Sequence, residues 1–141
     1  MPLAQNELAE TIISRVVGLA DSGVSSPIIL IDGRAASGKS TLAGLVQNGL
    51  FKELEVAPRV IHMDDLYDGW NGLQAGSDYL LRNILGPVSR GVTANWQEYD
   101  WQLEARDRWR EFGGGTPLIV EGCGSLSRQT AELASVRVWL D

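Results

Sequence analysis

The residues with the clearest capacity for chemistry are the stretch "GRAASGKS" at positions 33–40. This stretch, the phosphate loop, matches the pattern GxxxxGK[ST] in full and stands between an apolar run and a helical pattern. Successive backbone N–H groups of such a loop point into one concavity, and the N-terminus of the following helix adds partial positive charge. The pattern therefore predicts that nucleotide phosphates bind here. The predicted binding residues are Gly33, Ala35, Ala36, Ser37, Gly38, Lys39, Ser40 and Thr41.

Side chains at the end of the phosphate loop predict ATP and Mg²⁺ as ligands. Lys39 can reach the β- and γ-phosphates, the Ser40 hydroxyl can hold Mg²⁺, and Thr41 can contact the α-phosphate. The alternative is a glycine loop that only turns the chain. A chance match to the whole pattern in a chain of this length is on the order of one in a hundred.

A pair of acids follows the second apolar run of the chain. In "RVIHMDD", Asp64 and Asp65 come directly after that run. The carboxyl ends of parallel strands open onto one edge of a sheet, so these acids should share the edge with the phosphate loop. A carboxylate there can orient and deprotonate an attacking hydroxyl or hold Mg²⁺. The alternative is a solvated acidic turn or a helix cap.

Composition limits the classes of protein to which the chain can belong. Its 141 residues suit one domain, 1–141, and 44% of them are hydrophobic. A net charge of −6 argues against a protein that tracks nucleic acid. No signal peptide or membrane span is evident, and Cys123 is the only cysteine, which fits a reducing cytoplasm.

The elements that position these residues alternate between strand and helix. Apolar runs predict strands at 28–31, 59–65, 116–122 and 136–141. Helical spacing predicts helices at 3–19, 39–50, 77–85 and 101–112. The alternation predicts an α/β fold with a parallel sheet and crossover helices, with a core at 27–141.

Four motifs together resemble one family. They are "GRAASGKST", "MDDLYDGW", "EYDWQLEAR" and "LIVEG", and from position 28 onward the resemblance covers nearly all of the chain. They resemble the uridine kinase-like branch of the phosphate-loop kinases, which phosphorylate nucleosides and other small hydroxyl compounds with ATP. The first motif occurs in many families, whereas the spacing of the other three is more specific.

The resemblance implies a three-layer α/β/α fold with strand order 2-3-1-4, and it also implies roles for individual residues. Lys39 and Asp64 would be catalytic, with Asp64 as the base for the acceptor hydroxyl. Tyr67, Tyr99 and Arg106 would line the acceptor site, and Glu121 would lie close to the metal and its waters. The residues alone leave alternatives open: ordinary packing for both tyrosines, and for Arg106 an exposed helical ion pair.

Two departures from the family pattern are visible. Glu104 stands where uridine kinases carry a histidine, and a carboxylate cannot reproduce the donor and acceptor choices of imidazole. The family also continues past its fourth strand into an arginine-bearing lid and a further strand, for which there is no counterpart before Asp141. The expectation is a chain that lacks its lid and turns over slowly.

Several other residues invite a functional reading. His62 is expected to be a packed structural residue beneath Asp64, and Cys123 a small apolar filler. Most of the five tryptophans are expected to pack, with Trp101 of the "YDW" motif as the exception.

The predicted function is transfer of the γ-phosphoryl group of ATP to a small hydroxyl acceptor, first of all a nucleoside. A kinase for a sugar, a vitamin precursor or a pantothenate-like compound is the second hypothesis, which Glu104 keeps open. A nucleotide-binding module that senses or hydrolyses ATP is the third. Neither nucleic acid nor membrane is an expected partner, and assembly into a homo-oligomer stays open.

Overall fold

The computed structural model of the chain describes residues 3–67 and 72–141. None of the helices in these two ranges is both long and apolar enough to cross a membrane. In chain order the elements are α1 (Leu3–Asp21), β1 (Ile28–Gly33), α2 (Lys39–Leu54), β2 (Arg59–His62), a 3₁₀ turn (Met63–Asp65), α3 (Gly72–Leu80), a π-helical turn (Leu81–Leu85), α4 (Gly86–Ser89), β3 (Ala94–Asp100), β4 (Ala105–Phe112), β5 (Leu118–Glu121), α5 (Arg128–Leu133) and β6 (Val136–Leu140).

A parallel four-stranded sheet in the order β2-β5-β1-β6 forms the centre of the fold. Its strands correspond to the four predicted runs, so the predicted α/β class and the order 2-3-1-4 are confirmed. All residues of β1 and β5 are buried, as expected for central strands covered on both faces. The predicted helix at 77–85 is also confirmed, as part of α3 and the π-helical turn.

Two hydrophobic cores lie on opposite faces of the sheet. Side chains alternate along β1, so Ile29 and Ile31 pack with α1 and α2, whereas Ile28 and Leu30 pack towards α3 and the β3–β4 hairpin. Helix α1 packs on α2, where Gly49 lies against the Ile13 side chain. Both faces of the sheet are therefore covered, one by α1 and α2 and the other by α3 and the β3–β4 hairpin.

The prediction of a helix at 101–112 is wrong. This segment forms the turn and the second strand of an antiparallel hairpin of β3 and β4. The Asp100 carboxylate accepts hydrogen bonds from the backbone N–H groups of Gln102 and Leu103, which starts a turn. Glu104 closes the turn with a left-handed φ of 54°. These local bonds outweigh the helical propensity of the charged residues that follow.

The expectation that most tryptophans pack in the core is also wrong for the residues described. Trp96 is buried, but Trp101, Trp109 and Trp139 are 42%, 67% and 57% exposed. Trp70 lies outside the described residues, as do the last three residues of the "MDDLYDGW" motif. The exposed rings stand on the hairpin and on β6, where one strand face is open to solvent.

We predict that Gly122→Ala destabilises the fold by about 3 kcal/mol, through overpacking and a left-handed backbone. Gly122 has φ 137°, and an added Cβ would lie 2.6 Å from the Met63 Cβ at the end of β2. Gly91→Ala is the matched control, because Gly91 has φ 72° but nothing within 4 Å of an added Cβ. It should cost about 1 kcal/mol in urea unfolding. Equal losses would show that the approach to Met63 carries no cost.

Candidate functional site

The phosphate loop joins β1 to α2 at the carboxyl edge of the sheet. Ala36 and Gly38 have left-handed φ values of 61° and 93°, and Gly38 caps α2. These reversals turn successive backbone groups into a concavity of about 350 Å³, lined by the residues from Ala36 to Thr41. The predicted loop thus has the shape that phosphate binding requires.

Lys39 lies across the phosphate loop and is only 8% exposed. Its Nζ donates to the carbonyl oxygens of Gly33 at 3.2 Å and Arg34 at 2.6 Å. A buried ammonium group needs such acceptors, and phosphate oxygens are stronger ones than carbonyls. The loop and its lysine therefore suit an anionic ligand of the size of a triphosphate, and the Ser40 hydroxyl at the start of α2 suits a cation bound to it.

Helix α1 also contacts the phosphate loop, which the sequence reasoning missed. The buried Gln5 amide donates from Nε2 to the Gly38 carbonyl oxygen at 2.9 Å. Nothing in the local pattern singles out Gln5 among the polar residues of α1, since only the packing of α1 on α2 brings it there.

Asp32 is a second residue that the sequence reasoning missed. Its buried carboxylate accepts from the N–H of Gly33 at 2.6 Å, of Gly124 at 3.3 Å and of Leu126 at 2.9 Å. The carboxylate thus joins the phosphate loop to the 122–126 loop that follows β5. An acid inside an apolar run, directly before the glycine loop, was the available signal.

Glu121 is the last residue of β5, which lies between β1 and β2. In the sheet register it is paired with Ile31 of β1 and with His62 of β2. The His62 Nδ1 lies 2.5 Å from the Glu121 Oε2, and the His62 side chain is 49% exposed while Glu121 is buried. The expectation of a packed His62 is wrong, because the chain turns after His62 and leaves the ring at the edge of the sheet.

Asp64 lies in the 3₁₀ turn after β2, called here the acidic turn (Met63–Asp65). Asp64 is exposed, and its backbone carbonyl oxygen accepts from the Trp101 Nε1 at 3.0 Å. Burial, and then the charge of Glu98, raise the pKa of Asp65. The two acids therefore differ, since Asp64 faces solvent whereas ionisation of Asp65 is opposed.

Tyr67 points away from the hairpin, towards the 122–126 loop. Its ring packs against Gly76, and its Oη lies 3.3 Å from the position that a Cβ on Gly124 would take. The hydroxyl is buried and has no hydrogen-bond partner among the residues that the structure describes. Burial, with smaller contributions from Cys123 and Asp64, raises the pKa of Tyr67, so this side chain stays a neutral phenol.

Tyr99 and Arg106 face each other across the hairpin. Tyr99 is buried and meets Trp101 edge to face, with ring centroids 5.1 Å apart. Tyr99, Trp101 and Asp65 are among the residues that line a cavity of about 300 Å³. Arg106 donates to the carbonyl oxygens of Gln97 at 2.9 Å and Leu66 at 2.8 Å. The helical ion pair considered for Arg106 is wrong, because Arg106 is in β4 and bonds to backbone.

The structure brings the phosphate loop, Glu121 and Asp64 to one edge of the sheet, within about two strand spacings of 4.8 Å. Tyr67 contacts Gly76 and lies close to Gly124, whereas Tyr99 lines the cavity that also includes Asp65. A further cavity of about 420 Å³ lies beside the phosphate loop, between Gly33, Cys123 and Ser77. Cys123 is half-buried, and its thiol donates to the Gly33 carbonyl oxygen at 3.2 Å, so it links the two loops.

Comparison with known proteins identifies the fold. No family model matches the chain, and no curated protein matches its sequence. Among solved structures, a "possible uridine kinase" from Bacillus stearothermophilus matches with TM-score 0.64 and 18% identity, over 93% of this chain and 82% of that one. A "putative fructose transport system kinase" from Silicibacter sp. TM1040 matches with TM-score 0.65 and 18% identity, over 99% and 75%. At such identity the likeness shows a shared α/β fold.

We predict that Asp32→Asn costs about 2 kcal/mol of unfolding free energy, because an amide group turned towards N–H donors cannot replace the carboxylate. Urea unfolding of the variant measures the loss. Asp21→Asn, at an exposed position at the end of α1, should change stability by less than about 0.5 kcal/mol. Similar values for the two variants would contradict the role of Asp32 in joining the loops.

A second prediction concerns pH. The pKa of Asp65 is raised in the folded state, so the folded state binds this proton more tightly than the unfolded state does. Stability from this group is then lost as pH rises from the ordinary value of 3.8 through the raised pKa. Asp65→Asn should therefore stabilise the protein at neutral pH, by less than about 1 kcal/mol because solvent screens the site. The gain should vanish below the ordinary pKa, and a gain independent of pH would contradict the assignment.

Proposed function

We propose that the protein is an ATP-dependent kinase that transfers the γ-phosphoryl group to a hydroxyl of a small acceptor. The observation that carries this proposal is Lys39, whose ammonium group lies over the phosphate loop on the carbonyl oxygens of Gly33 and Arg34. Asp64 is exposed on the same edge of the sheet, where it can accept the proton of an acceptor hydroxyl. The structural similarity of this chain to two solved structures, both described as kinases, also supports the proposal.

The residues that would hold the donor are those of the phosphate loop, with Ser40 and Glu121 on the side of the metal. When bound, ATP supplies the transferable phosphoryl group, and Mg²⁺ offsets part of its charge. Lys39 would exchange its carbonyl partners for phosphate oxygens and so stabilise the charge that spreads over them during transfer. Backbone N–H groups at the start of α2 would bind the same oxygens.

Asp64 would position the acceptor. A carboxylate within hydrogen-bond distance of the acceptor hydroxyl holds the oxygen in line with the transferred group and accepts its proton as the new bond forms. Tyr67 cannot share the role of base, because its raised pKa keeps the phenol protonated. Tyr67 would thus offer the acceptor a neutral phenol, and Asp64 would be the base.

For the acceptor we propose a nucleoside first, with Tyr99 and its neighbours in the cavity of about 300 Å³ as the wall against the base. A sugar or another non-nucleoside alcohol is the second candidate. The observation that favours it is Glu104, which closes the exposed hairpin turn where the resembling family has a histidine. We further propose that the protein works in the cytoplasm.

The test is release of ADP from ATP and Mg²⁺, measured with and without a panel of nucleosides, sugars and other alcohols. Stimulation by one class of acceptor supports the kinase and names the class. Turnover that ignores every acceptor would instead indicate an ATPase and would overturn the proposal.

We predict that Asp64→Asn lowers the acceptor-dependent rate about 100-fold and leaves ATP affinity unchanged, because only the proton acceptor is removed. Lys39→Ala should instead weaken ATP binding by about tenfold or more. Asp65→Asn is the comparison for Asp64: Asp65 lines the proposed acceptor cavity but is not the proposed base, so its variant should lower the rate less than Asp64→Asn does. If Asp65→Asn is the more damaging of the two, the base has been misassigned.

A further inference from the structure

We infer that the β3–β4 hairpin is a brace that positions the acidic turn, and that Trp101 is its positioning residue at the tip. The inference rests on the proposed role of Asp64 as the base. It assigns to Trp101 and Arg106 a task that is separate from contact with the acceptor.

The hairpin is attached to β2 and to the residues after it at three successive points. At its base, Arg59 of β2 donates to the Glu111 carbonyl oxygen at 3.0 Å, and its guanidinium lies 5.2 Å from the Trp96 ring centroid. Further along, Arg106 donates to the Leu66 carbonyl oxygen at 2.8 Å. Two bonds therefore fix the hairpin alongside β2 before its tip is reached.

The middle attachment is rigid because it is built on a β-bulge. The register between β3 and β4 shifts between Gln97 and Tyr99, which leaves backbone groups of Gln97 available. The Gln97 N–H donates to the Tyr79 hydroxyl at 2.8 Å, and its carbonyl oxygen accepts from Arg106. The Arg106 guanidinium also stacks 3.7 Å from the Tyr79 ring centroid. With its fork shared between Gln97 and Leu66, Arg106 is held in one place.

The tip carries the contact that matters for chemistry. The Trp101 Nε1 donates to the Asp64 carbonyl oxygen at 3.0 Å, while the ring is 42% exposed and its edge contact with the buried Tyr99 fixes its orientation. Hydrogen bonds from Gln102 and Leu103 to the Asp100 carboxylate stiffen the turn that follows. The indole is thus placed by the hairpin and in turn holds the peptide of Asp64.

This hydrogen bond acts on position rather than on charge. The Asp64 side chain is exposed, so the backbone of the short 3₁₀ turn determines where the side chain starts and which region its carboxylate can reach. Small displacements of a positioned group cost large factors in rate. Removing the indole N–H should therefore reduce the acceptor-dependent rate without weakening ATP binding, because the phosphate loop lies on a different strand.

Trp101→Phe is the test, since it keeps an aromatic ring but removes the indole N–H together with the rest of the five-membered ring. Trp109→Phe is the matched control, because Trp109 lies in the same hairpin and is 67% exposed. In Trp101→Phe we expect the rate of amide hydrogen exchange in the peptide that spans 61–67 to rise about fivefold. This factor corresponds to the loss of one net hydrogen bond. The acceptor-dependent kcat should fall about tenfold, with an unchanged dissociation constant for ATP. The control should alter none of these.

Arg106→Lys is the second variant, because a lysine keeps the charge but cannot bond to Leu66 and Gln97 together. It should give the same pattern of faster exchange and lower kcat. Unchanged exchange at 61–67 in both variants would overturn the brace, whatever the activity. If no acceptor stimulates the unmodified protein, the proposed function fails, and the exchange measurement still decides whether the hairpin holds the acidic turn. A loss of ATP affinity equal to the loss of kcat would also overturn it, since that indicates a general structural defect.

Discussion

The buried carboxylate of Asp32 is the interaction on which the arrangement of the site depends. A carboxylate can remain inside a protein only where donors surround it, and here three backbone N–H groups do so. One of them belongs to the phosphate loop and two to the 122–126 loop. Two loops that would otherwise move independently therefore share one anchor. Ser125 strengthens it, because its buried hydroxyl donates to the Ile31 carbonyl oxygen at 3.1 Å.

The strand order determines how this anchor reaches the rest of the edge. Since β5 lies between β1 and β2, Glu121 stands between the phosphate loop and the acidic turn. Two strand spacings of about 4.8 Å therefore separate the phosphate loop from the acidic turn. This spacing supports the proposal that a phosphoryl group and an attacking oxygen lie between them. The fold alone does not establish such a function, because a shared fold serves many reactions, and the argument rests on Lys39 and Asp64.

What the sequence could predict follows from where apolar residues are buried. The central strands appear as apolar runs, so β1 and β5 were predictable, as was the loop between β1 and α2. The order of the sheet was predicted only through the resemblance to a known family. Strand β4 is mostly exposed and rich in alternating charges, so no burial pattern separates it from a helix. Gln5 reaches the site only through the packing of α1 on α2, for which no local pattern exists. Asp32 did leave a local signal, because it is an acid inside an apolar run directly before the phosphate loop. His62 was misjudged because the strand ends at that residue and the chain turns.

The hairpin shows how the fold separates two tasks. A two-stranded ribbon is marginal alone, so β3 and β4 need partners outside themselves. Three attachments join the hairpin to β2 or to the residues directly after it, and the Gln97–Tyr79 hydrogen bond joins it to α3. The phosphate loop takes its position from β1 and the 122–126 loop instead. Substitutions in the hairpin can therefore alter the proposed acceptor site, while the phosphate loop keeps its geometry. Glu104, at an exposed turn in that hairpin, is where such a change needs the least rearrangement.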